Sequence, residues 1–161
     1  DEITADKVLA FPTSLLDNAG KPVGPDSAKI RHRDIWDLAW MATRGAKLVP
    51  GLVAVKIGDY GVVNYPGLLD QAIKQLPAIV KSREFKAQMS RFIDSATLAK
   101  TIANDGYNDY LTTSVGSLFA QMRTTLANNP IEELAAPYAK KEPEPKAKPG
   151  SKRKQAPGLV L

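Results

Sequence analysis

The stretch RDIWDLAWMATR, at residues 33–44, decides the fold class and carries the most pointed chemistry of the chain. Its apolar residues recur at the i, i+3, i+4, i+7 spacing of a buried helical stripe: Ile35, Leu38, Ala39 and Ala42. Gly45 follows at the position where a helix often ends on a glycine cap. The stretch therefore predicts an amphipathic helix with one face in a core.

The same signals, followed outward from this stretch, predict a mainly α protein. Apolar periodicity and capping residues place further helices at 2–10, 50–59, 66–79, 82–93 and 108–127, with a short one capped by Asp94 or Ser95. Pro77 should end or kink its helix. Prolines and glycines in 12–30 indicate a loop, and no stretch favours a strand. We predict an irregular bundle of about seven helices with short connections.

Composition excludes several kinds of functional site and indicates the cellular location. The 161 residues contain no cysteine, which excludes disulfides, thiol nucleophiles and cysteine-bound zinc, and His32 is the only histidine. No apolar run approaches the roughly 20 residues that span a bilayer, and the first residues are not a signal peptide. We expect a cytoplasmic protein without a membrane partner.

The net charge of +5 belongs to the end of the chain. Residues 140–154 hold seven basic and two acidic side chains, so the remainder is neutral. Alternating Lys, Glu and Pro without apolar periodicity favours disorder. We predict a helical domain at 1–130 and a disordered Lys/Pro-rich tail at 131–161, which either contacts nucleic acid electrostatically or has no function.

Charged side chains cluster at one end of the helix at 33–44. Asp34 and Asp37 are i, i+3 neighbours, and Arg33 lies one turn before Asp37, so all three share a surface. Lys7, from the preceding helix, reaches the same region if the two helices pack. A purely structural interpretation also fits: Asp34 caps its helix, and Arg33 with Asp37 forms a surface pair that contributes about 0.3–0.5 kcal/mol.

Three aromatic or basic side chains nearby favour structural roles on pattern alone. Trp36 and Trp40 are expected to pack rather than to stack on a ligand. His32 lies between two arginines, where it could contact phosphate or RNA, but we expect it to be an exposed histidine near a helix start.

Two short motifs resemble a known family. The segments ADKVLAF at 5–11 and IRHRDIWDL at 30–38 are similar to the C-terminal motifs of the AbiEii/AbiGii-type nucleotidyltransferase toxins of type IV toxin–antitoxin and abortive-infection systems. The family pattern is an "(A/E)-(D/E)-K-hydrophobic-x-A" helix followed by "(K/R)-x-R-D-hydrophobic-(W/Y)-D-L". Both motifs match, in the right order.

The resemblance implies that this chain is the helical C-terminal portion of such an enzyme. Lys7 would contact the triphosphate of an NTP, and Asp34 would act as a supporting carboxylate or base in catalysis. Arg33 and Asp37 would hold the helix in place and, with Lys7, make up the substrate-binding residues. An α/β N-terminal half would hold Mg²⁺ through an Asp-x-Asp pair, which this sequence lacks.

Two functions remain open at this point. In the first, the complete protein transfers a nucleotide from NTP to an acceptor such as tRNA or another RNA, with a cognate antitoxin as a further partner. Because the first residue, Asp1, falls in the first turn of a helix, we expect sequence upstream. Because the sequence lacks the Asp-x-Asp pair, we expect no transfer by this chain alone. In the second, the chain is a non-catalytic helical module that binds an antitoxin or RNA.

Overall fold

The computed structural model describes residues 1–140, and eight helices account for most of them. In chain order they are α1 (Glu2–Thr13), α2 (His32–Thr43), α3 (Pro50–Asp59), α4 (Tyr65–Val80), α5 (Arg83–Met89), α6 (Ser95–Lys100), α7 (Asp105–Asn128) and α8 (Ile131–Ala135). Beyond an isolated bridge between Leu16 and Pro22, these residues form no β-structure. The predicted all-α bundle is confirmed for this part of the chain.

Helix α1 lies at the centre of the packing and contacts α2, α3 and α4. The rings of Phe11 on α1 and Phe119 on α7 stack at 5.5 Å between centroids, nearly parallel. The hydroxyl of Tyr65 at the start of α4 donates to the Val8 carbonyl over 2.7 Å. All four side chains are buried. These contacts fix the part of α1 that carries Lys7.

Several helix boundaries differ from the sequence prediction. Helix α1 ends at Thr13 rather than at residue 10, so Pro12 lies inside the helix and not in the predicted loop. Helix α4 does not end at Pro77 but runs on to Val80, because burial of Leu76, Ile79 and Val80 offsets the backbone bond that a proline removes. Helix α7 starts at Asp105, three residues before its predicted start at 108, because the Asn104 side chain accepts the Gly106 amide at 2.9 Å.

Helix α5 is shorter than predicted. It ends at Met89 rather than at residue 93, and Phe92, which the apolar spacing places in the core, is 55% exposed. The buried part of that stripe, Phe85 and Met89, lies within the helix as predicted.

The segment between α1 and α2 has no regular structure but is closely hydrogen-bonded. The Val23 amide donates to the Leu15 carbonyl at 2.8 Å, and the Asp17 carboxylate accepts the Ala19 and Lys21 amides at 2.8 and 2.9 Å. The Arg31 amide donates to the Ser14 hydroxyl at 3.1 Å. This last bond holds the start of α2 beside the end of α1.

The predicted boundary of a disordered tail at 131 is wrong for its first residues. Residues 131–135 form α8, which packs against α3, and Tyr138 continues that contact. The apolar residues Ile131 and Leu134 are partly buried there, although the charged and proline-rich composition that follows favours disorder. The rest of the predicted tail, 141–161, lies outside the described residues.

Gly51 makes the close approach of α8 possible. A Cβ placed there would lie 2.6 Å from the Leu134 carbonyl oxygen and would overlap the Tyr138 ring, whereas Gly58 on the same helix has open space. We expect Gly51→Ala to displace α8, because such overpacking costs about 1–3 kcal/mol. Hydrogen exchange of the α8 amides should quicken by about 10-fold or more.

The matched substitution Gly58→Ala should leave exchange in α8 unchanged. Equal exchange rates in the two variants would contradict the packing described here.

Candidate functional site

Lys7 and the two carboxylates of α2 meet, as the sequence predicts. The Lys7 Nζ lies 2.7 Å from Asp34 Oδ1 and 2.9 Å from Asp37 Oδ2. The Lys7 side chain is 18% exposed and that of Asp34 only 4%. One ammonium thus bridges two carboxylates that are one helical turn apart, at the junction of α1 and α2.

The packing of apolar residues on α1 and α2 brings Lys7 close to the two carboxylates. Ala5 and Val8 on α1 and Ile35 and Leu38 on α2 are fully buried, so the two buried stripes face a common core. Lys7, next to Val8, then lies at the edge of the core on the side of Asp34. The pairing follows from hydrophobic patterning as well as from charge.

Two arginines complete the network. The Arg31 Nε donates to Asp34 Oδ2, so each oxygen of that carboxylate is bound by a cation. The Arg33 Nε lies 3.5 Å from Asp37 Oδ2, which confirms the predicted i, i+4 pair, and its guanidinium stacks over the Phe92 ring at 4.4 Å. Arg31 is a site residue that the sequence prediction did not include, although the basic run before α2 was a signal for it.

The interpretation of Asp34 as a helix cap does not fit this geometry. Arg31 occupies the cap position, and no side chain caps the helix there. The Asp34 oxygens are used by Lys7 and Arg31. Its negative charge still lies in the first turn, where the helix dipole favours it.

The carboxylates keep Lys7 charged. Burial alone would lower the pKa of the Lys7 ammonium, but hydrogen bonds to Asp34 and Asp37, together with their charges, raise that pKa above its usual value. The hydrogen bond to Asp34 likewise raises the pKa of Arg31. Both groups therefore remain cations far into the alkaline range, and Lys7 is suited to binding an anion rather than to proton transfer.

Two surface cavities meet at this network. The first, here named the polar groove, has a volume of about 480 Å³ and is lined by Lys7, Ala28, Lys29, Ile30, Arg31, Arg33, Asp34, Asp37 and Gln88. Four basic and two acidic side chains leave it with an excess of two positive charges. Such a surface attracts anionic ligands.

The second, here named the apolar cavity, has a volume of about 560 Å³. Its lining comes from α1, from the N-cap of α2 and from the segment after α3: Ile3, Asp6, Lys7, Leu9, Ala10, Thr13, Arg31, Tyr60 and Val62. Lys7 and Arg31 line both cavities. The sequence prediction did not include Tyr60, Lys29 or Gln88, because they come from segments that only the fold brings together.

The neighbouring aromatic side chains divide between core and surface. Trp36 packs against Tyr107 at 5.7 Å between centroids, as expected for a packing residue. Trp40 is more than half exposed, and the Arg44 guanidinium lies over it at 5.2 Å. The expectation that Trp40 packs is therefore wrong.

The expectation that His32 is exposed is also wrong. Its ring is fully buried beside Phe85, and Nε2 lies 3.3 Å from the Pro25 carbonyl oxygen. Burial lowers the pKa of His32. The hydrogen-bonded segment before α2 folds over the ring, which is why a histidine between two arginines is covered.

A metal site was expected only in a separate N-terminal half. Among residues 1–140, no cluster of three or more His, Asp or Glu side chains has the arrangement of a metal site. Asp34 and Asp37 are occupied by cationic side chains and so do not fit Mg²⁺ in this arrangement. Within the same residues, no helix has the length and apolar character to cross a membrane.

Comparisons of the chain with family models, with curated proteins and with solved structures found no match. The resemblance to nucleotidyltransferase toxins stays a prediction.

Proposed function

We propose that this chain is the helical C-terminal part of a nucleotidyltransferase toxin of the type IV toxin–antitoxin class. The complete protein transfers a nucleotide from NTP to an RNA acceptor, and this part binds the triphosphate. One observation carries the proposal: the Lys7 ammonium is held by two carboxylates of α2 at the edge of an open groove with excess positive charge.

Lys7 contacts the phosphates in this proposal. Phosphoryl and nucleotidyl transfer depend on positioning and on neutralising the charge of the phosphates. A lysine provides a compact cation with three donors, and the two carboxylates leave one of these free for a ligand oxygen.

Asp34 acts as a supporting carboxylate rather than as a base. Both of its oxygens already accept hydrogen bonds from cationic side chains, so the carboxylate holds these groups in position. Asp37, with Arg33 behind it, fixes the other side of the Lys7 ammonium. The Mg²⁺ that supports such chemistry would be bound outside residues 1–140.

Polyphosphate binding by this chain tests the proposal. We expect Lys7→Met to weaken the binding of tripolyphosphate, measured by calorimetry, by about 10- to 100-fold, since a charged hydrogen bond contributes about 1.5–3 kcal/mol. Methionine keeps the aliphatic volume of the side chain, and Arg31 still pairs with Asp34.

Lys74→Met is the matched control, because Lys74 lies exposed on α4, away from both cavities. It should leave the affinity unchanged. Equal affinities in the wild type and in Lys7→Met would remove the basis of the proposal.

The second candidate function is a non-catalytic helical module that binds an antitoxin or RNA. Two exposed rings favour it, since Phe92 and Trp40 each carry an arginine guanidinium on one face. Exposed aromatic rings with arginines are common where proteins bind RNA or other proteins. In this case Trp40→Ala would weaken partner binding, whereas Lys7→Met would not.

A further inference from the structure

The apolar cavity and the polar groove lie on two sides of the same pair of cations. Lys7 and Arg31 line both, while the remaining walls differ in character. The apolar cavity presents Ile3, Leu9 and Val62, and the polar groove presents further charged side chains. A ligand that spans the pair therefore needs an apolar, preferably aromatic, end and an anionic end.

Tyr60 gives the apolar cavity an aromatic wall. It follows α3 and is 70% exposed. The helix α1 residues Leu9 and Ala10 line the same cavity. An exposed tyrosine ring beside an apolar surface is a suitable platform for stacking a planar heterocycle.

The charges at the apolar cavity do not oppose an anionic ligand. Asp6 is the one acidic residue of its lining, and its carboxylate lies 2.7 Å from the Lys56 ammonium. The positive charges that line both this cavity and the polar groove are those of Lys7 and Arg31. The two volumes, about 560 and 480 Å³, fall in the range of small-molecule sites.

From these observations we propose that the apolar cavity is the nucleobase subsite of a bipartite nucleotide site. The base stacks on Tyr60 against the α1 surface, and the triphosphate crosses Lys7 and Arg31 into the polar groove. The inference rests on the proposed function, since it names where and in which direction the NTP binds.

The test compares nucleotides with tripolyphosphate on the same chain. Each of the four ribonucleoside triphosphates and inorganic tripolyphosphate is titrated separately into the ¹⁵N-labelled protein. Tripolyphosphate should shift amides of the polar groove alone, whereas at least one nucleoside triphosphate should also shift those of Ile3, Tyr60 and Val62.

Substitution of Tyr60 separates the base from the phosphates. Tyr60→Ala should weaken nucleoside triphosphate binding by about 5- to 100-fold, the usual effect of losing one stacked base, and leave tripolyphosphate binding unchanged. Tyr110→Ala, at a partly exposed tyrosine on α7 away from both cavities, should change neither.

The outcomes distinguish this inference from the proposed function. If tripolyphosphate and all four nucleotides shift the same amides with equal affinity, or if Tyr60→Ala has no effect, the base subsite is refuted while the phosphate site stands. If neither kind of ligand binds, both proposals are refuted.

Discussion

Under the proposed function, in which this chain is one part of a larger enzyme, Asp34→Asn is expected to lower nucleotide transfer to RNA by about 100-fold. The carboxylate holds Lys7 at 2.7 Å and also binds Arg31, and asparagine loses the negative charge that both cations need. A shift of about 1 Å in a group that positions the substrate is enough for a loss of this size. The measurement is NTP-dependent labelling of RNA at saturating and at limiting NTP.

Asp34→Asn should lower kcat strongly but the melting temperature only slightly, since Lys7 keeps Asp37 as a partner. Asp70→Asn is the matched control. Asp70 pairs with Arg123 at 3.0 Å on the exposed surface of α4 and α7, and its loss should affect labelling little. Equal labelling by wild type and Asp34→Asn would end the catalytic assignment of this carboxylate.

Phe119→Ala is expected to lower the free energy of unfolding by about 3–5 kcal/mol. The Phe119 ring is fully buried and stacks on Phe11, so its removal leaves a cavity between α7 and the helix that carries Lys7. Urea unfolding followed by circular dichroism measures the change.

Phe92→Ala is the comparison for this variant, because the Phe92 ring is more than half exposed beneath Arg33. We expect a loss of less than about 1 kcal/mol there. Losses of similar size in the two variants would mean that the stacked pair does not anchor α1.

The sequence predicts the helices well where apolar periodicity is strong. In α2 the buried Ile35 and Leu38 lie as the spacing predicts, and α3 begins at Pro50 and ends at Asp59 as expected. The apolar spacing does not predict helix ends or short helices that depend on contacts with residues distant in the sequence. Phe92 lies beyond the end of α5, and α8 forms because α3 offers Gly51 as a contact surface.

Part of the candidate site can likewise be predicted from the sequence, and part depends on contacts between distant segments. Asp34, Asp37 and Arg33 share one helix, so their proximity follows from the helical repeat. The Lys7 contact depends on the packing of α1 on α2, which apolar patterning indicates without giving a distance. Tyr60 and Lys29 enter through loops, whose course is set by hydrogen bonds such as that from the Lys29 ammonium to Asn18.

NMR of the Lys7 ammonium during titration with tripolyphosphate tests the central claim most directly. The signal is assigned by its loss in Lys7→Met, and the raised pKa of Lys7 keeps the group protonated at neutral pH. We predict that it shifts with the same saturation curve as the amides of the polar groove. A Lys7 signal that stays in place while other groups respond, or the absence of any response, would contradict the account.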